Sequence, residues 1–474
     1  MRLKQAGQIA VASVLLTLCA AAQADTLLTI YELALRNDPN LQAAEATYKA
    51  DSLIKQQAIA QLLPQIDGSY SYSETDSNTA GSQFSSSEVS EGSTVSTLKL
   101  DTERDTESFD LSLSQNIFNL AAYFGYRQSE AVRKQAELSW TIEQQDLILR
   151  VAEAYFEILR VQSNLSTSVA EEKAIAQQLE QTRQRYDVGL IAITDVHEAQ
   201  AAFDLAIANR LTEEVNLGIA FESLSVLTGQ KHYNLDNLSE AFPAVKPEPE
   251  DVEQWVEFAS KNNPSIQLAA QQLEAANQNA KVKTSLMLPS VKAIATYRNT
   301  NNDETKSLRS SATTFDTFND DESTKFEIRV DVPIFSGGQK NAERRQAGYQ
   351  RVAEQARLVG TRREVLQVAR SSYLTALTDV ARIQARKRAI TSAESALEAT
   401  QAGYDAGTRN IVDLLNAQRD LFRAQRDYAN TRYNYVVNSL RLKLAAGIIS
   451  PQDIKDINKW LAPQPATLSN VITP

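Results

Sequence analysis

The strongest constraint on the fold is an internal duplication. The pattern Tyr-Asp-x-Gly occurs at residues 186–189 and again at 404–407, an offset of 218 residues. The same offset relates Tyr155 to Tyr373. Because this offset is close to half of the 474-residue chain, we interpret the sequence as two large copies of one unit. An array of short repeats would show a period of about 20–50 residues instead.

A long helical pattern precedes the Gly-containing turn of each copy. No proline occurs from Ala121 to Tyr186 or from Gln339 to Ile449. Apolar residues in both stretches follow alternating steps of three and four, as a coiled-coil seam requires. At a rise of ~1.5 Å per residue, such a helix reaches about 100 Å. We therefore predict two long helical hairpins, over about 121–229 and 339–446, with the two turns at their tips.

Before each hairpin the apolar period changes from 3.6 to 2, which indicates strands. The predicted strands cover about 65–75, 106–118, 290–299 and 324–335. The polar stretches at 76–105 and 299–323 are predicted to be exposed loops. Strands of this length with one polar face fit a membrane β-barrel, and they also fit an antiparallel sheet on a soluble core. Four strands cannot close a membrane barrel, so spanning strands would require a ring of identical chains.

The N-terminal residues have the layout of a secretory signal. Residues 1–24 place two cations before an apolar run and end in Ala22-Gln23-Ala24, which predicts cleavage before Asp25. Cys19 lies in this segment and also allows a lipoprotein, although the leucine before it fits that signal poorly. We predict the following segments: a signal peptide at 1–24, a first repeat at 25–240, a proline-rich linker at 241–250, a second repeat at 251–449 and a tail at 450–474.

Composition and motifs exclude several classes of function. The formal net charge of −11 becomes −13 when Arg2 and Lys4 are removed, so a basic nucleic-acid surface is absent. His197 and His232 are too few and too far apart for a metal site. No nucleotide-binding or nucleophile-elbow motif occurs, so we predict no enzyme activity and no cofactor. The mature sequence has no 18-residue apolar run that would predict a membrane-spanning helix.

The chain resembles the TolC family of outer-membrane efflux proteins over nearly all of its mature length. The resemblance is most specific in the runs at 185–195 and 404–413 and in Ala-Tyr-Phe at 154–156. It implies an α+β membrane protein that forms a homotrimer. In such a trimer a twelve-stranded outer-membrane β-barrel continues into a periplasmic α-helical coiled-coil barrel.

The resemblance also implies a function and partners. It predicts an exit duct of tripartite efflux or type I secretion systems in the outer membrane of a Gram-negative bacterium. The implied partners are outer-membrane lipid, a periplasmic adaptor (membrane fusion) protein and an inner-membrane transporter. That transporter would belong to the resistance-nodulation-division, ABC or major-facilitator class. The alternative is a periplasmic coiled-coil adaptor without a membrane barrel.

The resemblance assigns roles to residues of the two turns. Asp413 matches the family's aperture ring, and Asn416 stands where the family often has a second aspartate. The positions that match a closed-state lock are Tyr404, Arg409, Thr194, Asp195 and Arg432. The turn residues that would meet an adaptor are Gly189, Leu190, Gly407 and Thr408. From the residues alone, Asp413 is also an ordinary carboxylate of a first helical turn, and the lock residues are also ordinary surface pairs.

Overall fold

The computed structural model describes residues 25–85, 94–308 and 313–462. The predicted signal peptide, with Cys19, lies outside the described residues, as does the tail beyond residue 462. The described residues form long helices and an antiparallel sheet, so the predicted α+β class is confirmed. No helix within these ranges is long and apolar enough to cross a membrane.

The elements of the first half are three short helices, two strands, a long helical hairpin and a short strand. They are α1 (Leu27–Asn37), α2 (Pro39–Ser52), α3 (Ile54–Ala60), β1 (Gln65–Ser85), β2 (Thr94–Phe118), α4 (Leu120–Asp187), α5 (Ile193–Thr228) and β3 (Asn237–Leu238). Thr26 caps α1, because its side chain accepts a hydrogen bond from the N–H of Thr29.

The second half follows a similar order, with two short helices before its strands and an additional short helix before its last strand. Its elements are α6 (Val252–Asn262), α7 (Pro264–Ser285), β4 (Ser290–Leu308), β5 (Thr313–Asp331), α8 (Gln339–Asp405), α9 (Ile411–Ala445), α10 (Pro451–Asn458) and β6 (Leu461–Ala462). Helices α4 and α8 contain 68 and 67 residues. Their matched lengths agree with the duplication in the sequence.

The four long strands continue well beyond the predicted strand ends. Strand β1 has 21 residues and β2 has 25, and together they include most of the stretch 76–105 that was predicted to be a loop. Likewise, β4 and β5 include the described part of 299–323. The loop prediction rested on side-chain polarity. It was wrong because antiparallel pairing uses backbone groups and continues where both faces of the sheet are polar.

The chain divides into two compact units that do not follow the two sequence repeats. One unit contains residues up to Lys49, Ala136–Ala269 and Arg357 onward, and the other contains Ala50–Gln135 and Ala270–Ala356. Each unit draws residues from both repeats. The reason is that elements of one copy pair with elements of the other, as β2 does with β4.

The unit that contains the sheet has the strand order β1-β2-β4-β5, with every neighbouring pair antiparallel. Strands β1 and β5 therefore form the two edges of the described sheet. One cross-strand row places Ile66, Leu113, Ala295 and Phe326 side by side on one face. The adjacent row on the other face contains Asp67, Ser112, Thr296 and Lys325.

The other unit has its largest apolar core where α1 packs on the helical hairpins. Leu27 and Ile30 of α1 are fully buried in one cluster with Leu147 and Tyr155 of α4 and Leu440 of α9. This unit also contains the two hairpin turns.

Candidate functional site

The first hairpin turn connects α4 to α5. Gly189 adopts a φ of 76°, a left-handed conformation that glycine accepts without steric cost. Its N–H donates to the carbonyl oxygen of Tyr186 at 2.8 Å. The N–H of Leu190 donates to the carbonyl oxygen of Arg185 at 2.9 Å. These bonds satisfy carbonyls at the end of α4 and turn the chain into α5.

The second turn connects α8 to α9 and is tied more closely. Gly407 has a φ of 75°, and the carbonyl oxygen of Gly403 accepts from the N–H groups of Thr408 (2.8 Å) and Arg409 (3.1 Å). The Thr408 hydroxyl donates to the same oxygen at 3.0 Å. Three donors on one carbonyl bring the Arg409 side chain directly over Gly403.

Glycine at position 403 makes this arrangement possible. A Cβ at Gly403 would lie 2.8 Å from Cγ of Arg409, closer than side-chain carbons approach each other. The position of Gly403 in the first copy is occupied by Arg185, 218 residues earlier. The two turns are therefore related by duplication but differ in how tightly they close.

We expect Gly403→Ala to destabilise the folded protein by up to about 2 kcal/mol. The clash with Arg409 costs about 1–3 kcal/mol by overpacking, and the roughly 1 kcal/mol that alanine gains over glycine within a helix offsets only part of this cost. Gly360→Ala is the matched control, because Gly360 also lies in α8 and a Cβ there meets nothing within 4 Å. Chemical denaturation of both variants measures the difference. Equal stabilisation by the two substitutions would contradict this account of the turn.

An apolar cluster packs the two hairpins together next to the turns. It contains Ile175 and Leu179 of α4, Ala199 of α5, and Ile411 and Leu414 of α9. Tyr404 belongs to the same cluster and is only 6% exposed. The ends of the two hairpins are thus held by side-chain packing as well as by polar contacts.

One ion pair connects the first hairpin to the second at the turns. Arg185 Nη2 lies 2.6 Å from Asp405 Oδ1, and the Arg185 guanidinium carbon lies 4.8 Å from the centre of the Tyr404 ring. Hydrogen bonds from Gln401 and then from Arg185 hold the pKa of Asp405 below its usual value. The hydrogen bond with Asp405 raises the pKa of Arg185. Both groups are therefore charged at neutral pH.

The structure places the predicted lock residues in different environments. Arg409 Nη1 lies 3.6 Å from Asp413 Oδ2, so Arg409 pairs within its own turn and not with Asp195. Thr194 is exposed and Asp195 is half-buried in the first turn of α5. The Tyr404 hydroxyl is buried, and no described residue offers it a hydrogen bond of ordinary geometry.

Arg432 is not placed with the other lock residues. Its guanidinium donates from Nη2 to the carbonyl oxygen of Ser239 at 2.5 Å and lies over the ring of Tyr428. The residue lies about five helical turns beyond Asp413 on α9, at 3.6 residues per turn. Within this chain, Arg432 holds the segment that follows β3.

The two predicted aperture residues each have a nearby arginine. The N–H of Asp413 donates to Asn410 Oδ1 at 2.7 Å, so Asp413 lies in the capped first turn of α9. Asn416 Oδ1 accepts from Arg419 Nη2 at 2.6 Å. Asp413 is half-buried, and so is Asn416. The arginines therefore offset part of the negative potential that the Asp413 carboxylate creates.

The predicted docking residues lie on the surface. Gly189, Gly407 and Thr408 are exposed, and the Leu190 side chain is 73% exposed. Gly189 and Gly407 have nothing within 4 Å of a Cβ built on them. An exposed leucine beside solvent-accessible glycine backbone forms a surface on which a partner helix could pack.

Neither Arg185 nor Asp405 has a role predicted from the sequence. Both lie within or beside the runs that carry the family resemblance, each next to a tyrosine of the Tyr-Asp-x-Gly pattern. The signal that could have indicated them is the pair of opposite charges at quasi-equivalent turns. Nothing in one hairpin shows which residue of the other it will meet, because the partners are 220 residues apart.

Comparisons with known proteins agree with this architecture. The family model described as "Outer membrane efflux protein" matches residues 30–230 and 255–448, one match for each copy. Outer membrane protein TolC of Vibrio cholerae is 34% identical over 451 residues, covering 95% of this chain and 97% of that protein. The alkaline protease secretion protein AprF of Pseudomonas aeruginosa is 28% identical, covering 90% of this chain and 86% of that protein. The crystal structure of the outer membrane protein VceC from Vibrio cholerae superposes with a TM-score of 0.69 at 20% identity, covering 89% of this chain and 96% of VceC.

Proposed function

The chain belongs to the outer membrane efflux protein family, and we propose that three copies form a duct gated by the two hairpin turns. It is an outer-membrane exit duct for efflux and type I secretion, like its relatives TolC and AprF. The periplasmic adaptor without a membrane barrel is not favoured. We assign the chain no enzymatic role.

The observation that carries the proposal is the exposed apolar face of the sheet. Within one cross-strand row, Ile66 is 70% exposed and Phe326 is 82% exposed. Leu113, between them in the sheet, is also exposed. An apolar band across four strands whose opposite face is polar is the pattern of strands between lipid and an aqueous lumen.

The edges of the sheet supply the argument for a ring. Strands β1 and β5 have no second neighbour among the described residues. Unpaired backbone groups are very costly in lipid, so β1 of one chain must pair with β5 of the next. We propose a homotrimer, which gives twelve strands in a closed barrel. The trimer number comes from the family and not from the sheet.

The proposed gate is formed by contacts at the two hairpin turns. In a ring, the Arg185–Asp405 pairs and the Asp413 carboxylates recur around the axis, so that several weak contacts act together. We propose that these contacts hold the closed state and that an adaptor docks on the exposed turns at Gly189, Leu190, Gly407 and Thr408. An inner-membrane transporter of the resistance-nodulation-division, ABC or major-facilitator class would deliver the substrate.

Cysteine cross-linking between the two edges tests the ring. Ser71 of β1 is changed to cysteine and combined with a cysteine at Asp321, Ser323 or Lys325 of β5, because the register between chains has to be scanned. We expect oxidation of at least one pair to produce covalent species of up to three chains. The control pair is Ser108→Cys with Thr300→Cys, which are neighbours within one chain and should give only monomers. Monomers from every edge pair, with native mass spectrometry in detergent also showing one chain, would contradict the ring.

Charge at the aperture gives a second test. Because Arg419 already contacts Asn416, we expect Asn416→Asp alone to raise cation selectivity only slightly. Asn416→Asp with Arg419→Gln should raise it clearly, since close like charges reinforce each other's potential. Single-channel reversal potentials measure both.

The variant Glu198→Gln tests whether Glu198 supplies the negative charge that is missing at Asn416. Glu198 occupies the position of Asn416 in the first copy, and it is exposed. Unchanged selectivity in Glu198→Gln means that the aperture charge rests on Asp413. A clear loss would show instead that Glu198 replaces the charge missing at Asn416.

A further inference from the structure

The residue predicted to begin the mature chain is built into the folded structure. Asp25 forms a parallel β-bridge with Leu235. The N–H of Asp25 donates to the carbonyl oxygen of Asn234 at 3.0 Å, and the N–H of Asp236 donates to the carbonyl oxygen of Asp25 at 3.4 Å. The backbone nitrogen that signal cleavage would convert into an amine therefore has a defined position.

Two carboxylates and one imidazole lie at or next to this bridge, those of Asp25, Asp236 and His232. Asp25 Oδ2 lies 2.6 Å from Nδ1 of His232, which is itself buried. The Tyr155 hydroxyl donates to the carbonyl oxygen of Asp236 at 2.7 Å. Asp236 is only 6% exposed.

One oxygen of the Asp236 carboxylate lacks a partner. Its Oδ1 atom is buried and accepts no hydrogen bond from a described residue, and no described cation is among the groups that shift the Asp236 pKa. Burial raises the pKa of the Asp236 carboxyl, and the neighbouring Asp25 carboxylate raises it further. A buried carboxylate without a partner costs free energy, so the site lacks one positive charge.

We propose that the missing cation is the α-ammonium group of Asp25, created when the signal peptide is removed. Hydrolysis of the Ala24–Asp25 peptide bond adds water, leaves the new carboxylate on Ala24 and leaves the amine on Asp25. This amine is mostly protonated at neutral pH. It keeps the hydrogen bond to Asn234 and gains two further N–H donors beside Asp236.

The consequence is that processing stabilises the mature fold. Before cleavage, the site has an uncompensated carboxylate at Asp236. After cleavage, Asp25, Asp236, His232 and the α-ammonium group form one polar network in which the Asp25 side chain is half-buried. The effect of removing the Asp236 charge must therefore depend on where the chain begins.

The test compares Asp236→Asn in two forms of the exported full-length protein. One form has the natural junction, and the other carries one serine inserted between Ala24 and Asp25, which moves the ammonium about 3.5 Å away. Intact mass establishes the first residue of each purified protein. Glu240→Gln is the matched control, because Glu240 is an exposed carboxylate of the same segment. The unfolding temperature in detergent is measured for all variants.

We expect Asp236→Asn to lower the unfolding temperature in the natural form and to leave it unchanged or raise it in the serine-extended form. Glu240→Gln should have no effect in either. The same effect of Asp236→Asn in both forms would overturn the proposal. A mature chain that does not begin at Asp25 would overturn it as well.

A second measurement reports on the amine directly. Acetic anhydride modifies only the neutral amine, so an ion pair that shifts the ammonium-to-amine ratio tenfold slows labelling about tenfold. Peptide-resolved mass spectrometry follows acetylation of the N-terminal amine near pH 7. We expect the natural protein to react about ten times more slowly than its Asp236→Asn variant. Equal rates would show that the amine is not paired with Asp236, even if both variants fold.

Discussion

Arg185→Ala is expected to raise the single-channel conductance in planar bilayers well above that of the unmodified protein. This substitution removes the ion pair with Asp405 and the contact with the Tyr404 ring, which together connect the first hairpin to the second at the turns. The stacking contact is worth about 0.5–1 kcal/mol at a partly exposed site. Loss of these contacts in every chain of a ring biases the gate toward the open state, because opening needs only a few kcal/mol.

Arg210→Ala is the control for this experiment. Arg210 pairs with Glu172 (Nε to Oε2, 2.5 Å), but both residues belong to the first hairpin. Removing that pair should leave the conductance unchanged. If the two variants behave alike, the contact between hairpins does not control the gate.

The contact between Arg185 and Asp405 has a defined dependence on pH. Hydrogen bonds from Gln401 and Arg185 lower the pKa of Asp405 below the ordinary value of 3.8, so the contribution of Asp405 to the closed state is complete above 3.8. That contribution is lost as the pH falls through the lowered pKa. Conductance should therefore stay constant from neutral pH down to about 4 and rise below it. In Arg185→Ala this acid-induced rise should be reduced, since the partner of Asp405 is already absent.

Leu113→Arg is expected to abolish insertion into the outer membrane. Leu113 lies in the exposed apolar row of the sheet, on the central strand β2. Arginine at the lipid face costs about 2–4 kcal/mol near the bilayer midplane, and a homotrimer would carry that cost three times. Fractionation of membranes and susceptibility to exported drugs measure the loss.

Ser112→Arg is the matched control. Ser112 is the preceding residue on the same strand, so its side chain lies on the polar face, in the row of Asp67. We expect this variant to insert and export nearly normally. If Ser112→Arg fails and Leu113→Arg succeeds, the assignment of the lipid face is reversed. Loss of both would indicate that β2 tolerates no large side chain.

The sequence by itself determined the elements and their repetition. Proline-free coiled-coil spacing predicts the helical hairpins, and Gly189 and Gly407 predict the turns because a left-handed backbone favours glycine. Alternating polarity likewise indicates that strands precede each hairpin. All of these signals are local, so they can be interpreted without knowing which elements meet.

Only the tertiary structure decided which residues form the candidate gate contacts. Arg185 pairs with Asp405, and Arg409 pairs with Asp413. Arg432 instead donates a hydrogen bond to the carbonyl oxygen of Ser239, away from the turns. The tertiary structure also extends the strands through polar stretches, because backbone pairing with a neighbour does not depend on side-chain polarity. These features depend on contacts between distant parts of two similar copies. Local periodicity contains no information about them, since each copy shows the same pattern whichever part of the other it contacts.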